Sequence, residues 1–237
     1  MNVSDPKKKS VPEVPLTGVW GKLDPPRQGQ LLRGSALCQY MAGDLIDTEF
    51  GLVVSGTAGI EYSLGNGRRC LSELMHSGDL INMTRHERQT QGTLIALGEC
   101  CVLPLVKRDF ETLARHHKDL SDAYHRQVED QTGRLRDHIA DLGAKTPLER
   151  IVSVLFELRR WPDASGDSAA QMILPILYKD IAAYTGMKPE TVSRALRKLR
   201  EARLISTDGA DRERISLLNV PRLRRIANGG APRKIKI

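Results

Sequence analysis

Glu190, Ser193 and Arg194 stand at i, i+3 and i+4, so on a helix their side chains project from one patch. Together they offer a carboxylate acceptor, a hydroxyl that can give or take a hydrogen bond, and a guanidinium with a rigid fork of donors. Such a set suits a surface edged with fixed donors and acceptors. A guanidinium bonds bidentately to guanine O6 and N7, a carboxylate accepts from cytosine N4, and a hydroxyl is permissive. Around the trio, Thr185, Lys188, Thr191, Arg197 and Lys198 supply the hydroxyls and cations that grip phosphate oxygens.

These residues need a helix to present them, and residues 180–205, DIAAYTGMKPETVSRALRKLREARLI, supply two. The first is expected over about 179–185, with Ile181, Ala182 and Tyr184 facing inward, and Gly186 provides the backbone freedom for a sharp helix-to-helix turn. Pro189 suits the first turn of a second helix, where its missing N–H has no intrahelical partner, and Glu190 suits the positive end of the dipole. That helix starts near Lys188. Val192, Leu196 and Leu199 follow at spacings of four and three, one apolar stripe opposite the polar trio. Two short helices about a glycine turn, the second apolar on one face and basic on the other, form the pattern that enters a DNA major groove.

Residues 178–205 resemble the helix-turn-helix of the Crp/Fnr superfamily of bacterial transcription regulators. The E-x-x-S-R spacing of Glu190, Ser193 and Arg194 is that of the Fnr-like branch. Leu204 and Ile205, a turn around 208–211, and Ile215, Ser216 and Leu217 resemble its two-stranded wing. The resemblance implies a homodimer on double-stranded DNA, a palindrome with TTGA-type half-sites, and RNA polymerase as a partner if the chain activates. Pro189 and Ser193 depart from the cyclic-AMP-receptor branch, which has arginine and glycine there, so that branch's operator is not expected.

The charge distribution agrees. The chain carries a net +7, but residues 145–237 hold 19 Lys/Arg against 10 Asp/Glu, whereas residues 1–144 hold 17 against 19. The basic half is the half with the helix-turn-helix, the footprint expected of phosphate binding. No apolar run reaches 18 residues and no signal-peptide core opens the chain, so a cytoplasmic protein with no membrane span is expected.

Between about Leu31 and Leu105, short apolar runs alternate with turn signals at Gly43–Asp44, Gly56, Asn66–Gly67 and Gly78–Asp79, which predicts a closed or double-sheet β structure. Their order resembles the jelly-roll sensory domain of the same superfamily. What this half senses is unknown. After the Gly-Asp turn, Asn82 stands where cyclic-nucleotide binders have glycine, and their Arg-Ser/Thr-Ala triplet is absent, so cyclic AMP is not supported; Arg85 and Arg88 read as solvated. Cys38, Cys70, Cys100 and Cys101 lack C-x-x-C spacing, so an Fnr-type iron–sulfur cluster is not supported either. Cys100 and Cys101 are the possible redox pair: on a strand they point to opposite faces, so one can be buried while the other stays reactive. The six histidines form no compact metal motif, and His76 reads as a hydrogen-bonded turn residue.

Leu120, Tyr124, Val128, Gln131, Leu135, Ile139 and Leu142 follow one another at steps of four or three along a proline-free stretch. Such a continuous stripe predicts a two-stranded seam, and the resemblance implies dimerisation through Leu120, Tyr124, Val128, Leu135, Ile139 and Leu142. Gly143 should end this helix, and Thr146–Pro147 should open another running toward Trp161.

The expected fold is α+β: a flexible N-terminal arm (1–29), a jelly-roll domain resembling cyclic-nucleotide-binding domains (30–118), a dimerisation helix (119–143), a winged helix-turn-helix domain (144–227) and a basic tail (228–237). The expected function is a non-enzymatic DNA-binding regulator. The alternative is a jelly-roll protein that binds a small molecule or catalyses with a metal, its basic domain docking on a partner. A cupin-type site would need an H-x-H motif and a glutamate at defined strand positions, and neither is found.

Overall fold

The computed structural model describes residues 7–9, 16–63, 65, 68–83, 92–159, 171–207 and 214–230. They divide into two compact units, one drawn from 1–68 and 72–135, the other from 69–71 and 136–237.

The first unit is built on an antiparallel β-sheet. Its strands are β1 (Lys7–Lys9), β2 (Leu37–Tyr40), β3 (Phe50–Ser63), β4 (Arg69–His76), β5 (Leu80–Asn82) and β6 (Gly92–Pro104), in the order β1-β2-β6-β3-β4 with β5 on β3. The runs read as separate strands on either side of Gly56 are one strand. Gly56 instead lies between two register shifts, Val53/Ser55 and Gly56/Ala58, where its φ of +77° lets the strand bulge. Cys38, Tyr40, Ile60, Leu94, Cys100 and Val102 share one buried cluster.

A second cluster corrects the expected N-terminal arm. Leu16, Trp20, Leu23 and Leu31 are buried with Phe50, Leu52, Leu103 and Phe110. The indole of Trp20 donates to the Gly78 carbonyl at 2.9 Å. After it comes α1 (Pro25–Leu32), whose first turn is capped by Asp24 accepting from the Arg27 N–H at 2.9 Å. Chain from Leu16 onward is therefore core, because one large aromatic and three leucines are worth more buried than solvated.

Two helices follow the sheet, α2 (Lys107–His116) and the 27-residue α3 (Lys118–Ala144). Leu120, expected on a dimer seam, is fully buried in the second cluster, and Tyr124 packs on the same cluster, with its ring 5.6 Å from that of Phe110. Further along, Gln131 donates to the Leu80 carbonyl at 3.0 Å and accepts from the Leu80 N–H at 3.3 Å. Buried Asp79 accepts from Gln127 at 2.7 Å and pairs with Arg134 at 2.7 Å. The first part of the predicted stripe thus packs on its own β unit. Val128, at 36% exposed, and Ile139, at 68%, remain outward, and Leu135 and Leu142 are half-buried. The helix passes Gly143 to end at Ala144.

In the second unit, α4 (Pro147–Leu158) opens with a capping box of Thr146 and Glu149 and buries Leu148, Ile151, Val152, Val154, Leu155 and Leu158. Then come β7 (Gln171–Ile173), α5 (Tyr178–Thr185), α6 (Pro189–Glu201), β8 (Ile205–Thr207), β9 (Arg214–Leu217) and α7 (Val220–Ala227). The strands form a three-stranded antiparallel sheet in the order β7-β9-β8. Trp161, Arg85, Arg88, the Asn66–Gly67 turn, the 208–211 turn and the tail beyond Gly230 lie outside the described residues.

Candidate nucleic-acid interface

The turn between α5 and α6 is built as its residues require. Gly186 closes α5 in the left-handed region at φ 67°, ψ 29°, and the Met187 N–H returns to the Ala182 carbonyl at 2.9 Å. Lys188 is the N-cap of α6 in extended conformation, and Pro189 takes the first helical position. Val192, Ala195, Leu196 and Leu199 are buried, so α6 can sit only one way round. Glu190, Ser193, Arg194, Arg197 and Arg200 are thereby turned outward, as is Lys188, with Thr191 and Lys198 half-buried at the edges. A groove of 230 Å³ is lined by Tyr178, Ser193, Arg194, Leu196, Arg197 and Arg200.

The end of α6 is tied to the wing. Arg200 Nη1 donates to Thr207 Oγ1 at 3.2 Å, and the Leu218 N–H reaches the Leu204 carbonyl at 2.8 Å. Ile205 pairs with Leu217 and Thr207 with Ile215, both antiparallel. Arg197 lies 3.8 Å from Glu201, an exposed pair of little energetic weight.

Thr185 is a correction. Only 2% exposed, its hydroxyl donates to the Ile181 carbonyl at 2.6 Å and cannot reach a phosphate. A threonine in the last turn of a helix satisfies its hydroxyl on the preceding turn when no water is available. The expected thiol arrangement also has a structural counterpart: Cys100 is buried and Cys101 half-buried, with Cys70 exposed and Cys38 buried. His76 Nδ1 donates to the Ser77 carbonyl at 2.9 Å. Among the described residues, no cluster of three or more His, Cys, Asp or Glu is arranged to hold a metal ion.

Three elements escaped sequence reasoning. The helix α7 was visible in Asn219–Val220–Pro221, a cap followed by Pro, and in Leu223 and Ile226, both buried. Arg150 carried no motif, yet its guanidinium donates to three backbone carbonyls, those of Leu142, Lys145 and Thr185. Nor did spacing indicate that His138 stacks on Tyr184.

A helix-turn-helix backed by α4 and flanked by an antiparallel sheet defines a winged helix-turn-helix, a class that binds DNA. Over residues 149–226 the chain matches the Crp-like helix-turn-helix domain. It is 30% identical over 189 residues to the nitrogen fixation regulation protein FixK of Azorhizobium caulinodans, a match covering 79% of this chain and 75% of that protein. To the transcriptional activator protein FnrL of Cereibacter sphaeroides it is 25% identical over 173 residues, 71% of this chain and 68% of that one. The structure of FixK2 from Bradyrhizobium japonicum superposes with a TM-score of 0.69 at 25% identity, covering 81% of this chain and 96% of the other. A CooA variant from Carboxydothermus hydrogenoformans, at 16% identity, shares the fold with a TM-score of 0.68 over 83% of this chain and 89% of its own. The chain belongs to the Crp/Fnr family of transcription regulators, and DNA is its partner. Among the described residues, no helix is long and apolar enough to cross a membrane.

Proposed function

We propose that the chain is a homodimeric, sequence-specific regulator that reads a TTGA-type palindrome in cytoplasmic DNA and answers to a signal received by its N-terminal β unit. The carrying observation is the exposure of Glu190, Ser193 and Arg194 on one face of α6, opposite the buried stripe of Val192, Leu196 and Leu199. Arg194 is assigned to guanine, Glu190 to the cytosine or adenine of the paired strand, and Ser193 to a neighbouring base or phosphate. Lys188, Thr191, Arg197 and Lys198 are assigned to phosphates. Phosphate contacts fix register, and base contacts carry the sequence.

A palindrome requires two copies of α6 about one DNA turn apart. Outward-facing Val128 and Ile139 on α3, with half-buried Leu135 and Leu142, are the surface assigned to the second copy. If the regulator activates, RNA polymerase is a further partner. Fluorescence anisotropy with a labelled TTGA-type palindrome, competed by unlabelled palindrome or by a scrambled duplex at one fixed salt concentration, tests this reading. The palindrome should compete at concentrations at least tenfold lower; equal competition would overturn the assignment of base reading to α6.

A further inference from the structure

The end of α3 is joined to the first helix of the helix-turn-helix by two contacts that base reading does not use. His138 on α3 is 9% exposed, and its ring lies flat against Tyr184 of α5, with centroids 3.7 Å apart and planes 5° from parallel. Tyr184 is held from its other end, its hydroxyl donating to the Glu157 carboxylate of α4 at 3.4 Å. The second contact is Arg150 of α4. Its Nη2 donates to the Leu142 carbonyl at 2.6 Å, its Nε to the Lys145 carbonyl at 3.0 Å and its Nη1 to the Thr185 carbonyl at 3.2 Å. Leu142 and Thr185 lie in the last turns of α3 and α5, so one fixed cation faces the negative ends of two helices. Gly186 and the turn into α6 follow Thr185 directly.

Resting on the DNA-reading and dimer assignments above, we infer that His138 and Arg150 are positioning residues for the reading helix: they fix α5, and through the Gly186 turn α6, to the end of the helix that sets the spacing between two copies. Two flat faces held in contact resist the tilting of one element against the other, which an aliphatic contact permits. Arg150 adds direction, because its planar fork reaches all three carbonyls from a single orientation.

Histidine also makes the joint sensitive to protons. Burial holds His138 below the ordinary histidine range; Asp141 on α3 opposes this and Arg150 from α4 adds to it. Tyr184, whose hydroxyl is engaged by Glu157, covers the ring face. With the folded-state pKa lowered, the neutral ring is the folded form. Its contribution is present above the ordinary value of 6.5 and is lost as pH falls through the lowered one.

Full-length His138→Ala and His138→Phe distinguish positioning from simple filling. Hydrogen exchange of Tyr178–Thr185 without DNA should quicken about threefold to tenfold in His138→Ala, and His138→Phe should restore it by keeping the stack. On a TTGA-type palindrome, His138→Ala should raise Kd by a similar factor while leaving a duplex with one half-site within about twofold. On acidification to about pH 5.5 the wild type should lose protection in this helix and His138→Phe should not. Unchanged exchange in His138→Ala, or equal acid losses in wild type and His138→Phe, would overturn the inference. A wild type that shows no palindrome preference defeats the DNA assignment alone, and the exchange arm still decides the role of His138.

Discussion

Two glycines of the same backbone class should respond to alanine in very different ways. Gly186 and Gly56 both have positive φ, +67° and +77°. A Cβ built on Gly186 meets nothing nearer than Leu142 Cδ2 at 3.9 Å, an ordinary contact, so Gly186→Ala adds only the left-handed penalty. That penalty is about 1–2 kcal/mol, and alanine's restriction of the unfolded chain returns about 0.4–1 kcal/mol, leaving a loss near 1 kcal/mol. A Cβ on Gly56 would instead lie 1.9 Å from the Glu99 carbonyl oxygen and 2.8 Å from Cys100 Cα, both backbone atoms of β6 that cannot swing aside. The strands must part, at a cost of about 3 kcal/mol or more. Because the chain has two units, global unfolding is a poor assay, whereas hydrogen exchange resolves each element. Gly186→Ala should quicken exchange in Tyr178–Thr185 and Pro189–Glu201 about fivefold, and Gly186→Asn should recover part of the loss, since asparagine tolerates this conformation. Gly56→Ala should abolish protection across Phe50–Ser63 or prevent soluble expression. Equal losses at the two sites, or no recovery with asparagine, would refute the reasoning.

Ile139→Asp should weaken self-association at least tenfold with little effect on folding, since Ile139 is 68% exposed; Leu120→Ala should cost the β unit about 2–5 kcal/mol and leave association unchanged. Sedimentation equilibrium and thermal melts separate these, and unchanged association of Ile139→Asp would remove α3 from the interface. A thiol reagent should modify Cys70 first and Cys101 more slowly, with Cys38 and Cys100 reacting only in denaturant; four equal rates would contradict the burial pattern. Burial, with Cys38 alongside, pushes the Tyr40 hydroxyl up to about 12. The neutral phenol is therefore the folded form, and its contribution, complete below the usual 10.0, is lost as pH rises toward about 12. Tyr40→Phe should flatten that alkaline loss, and the late-titrating phenolate absorbance seen in the wild type should be missing from the folded variant.

The reading helix was legible because its signals are local. A glycine turn, a proline at the first helical position and aliphatic residues at spacings of four and three need no knowledge of the rest of the chain. The stripe on α3 was legible as a stripe but not by what covers it, since periodicity states that Leu120 and Ile139 share a face and not that one enters a β core while the other stays outside. Trp20 was hidden by its polar, proline-rich surroundings, although Asp24–Pro25 is a helix start. Thr185 was misplaced because a threonine hydroxyl near a turn can serve a phosphate or the preceding carbonyl, and only burial decides. Arg150 and His138 act through long-range partners, for which one sequence carries no signal.

The central claim, that Arg194 reads a guanine from an α6 displayed twice, is tested most directly by one binding matrix. Wild type, Arg194→Ala and Lys198→Ala are titrated against a TTGA-type palindrome and against the same duplex with its half-site guanines replaced, over a range of salt. Arg194→Ala should lose about 1–3 kcal/mol on the palindrome and discriminate no longer at the replaced pair, while Lys198→Ala should weaken both duplexes alike and lower the salt slope by about one. Full discrimination retained by Arg194→Ala, or the same pattern of loss in both variants, would contradict the account.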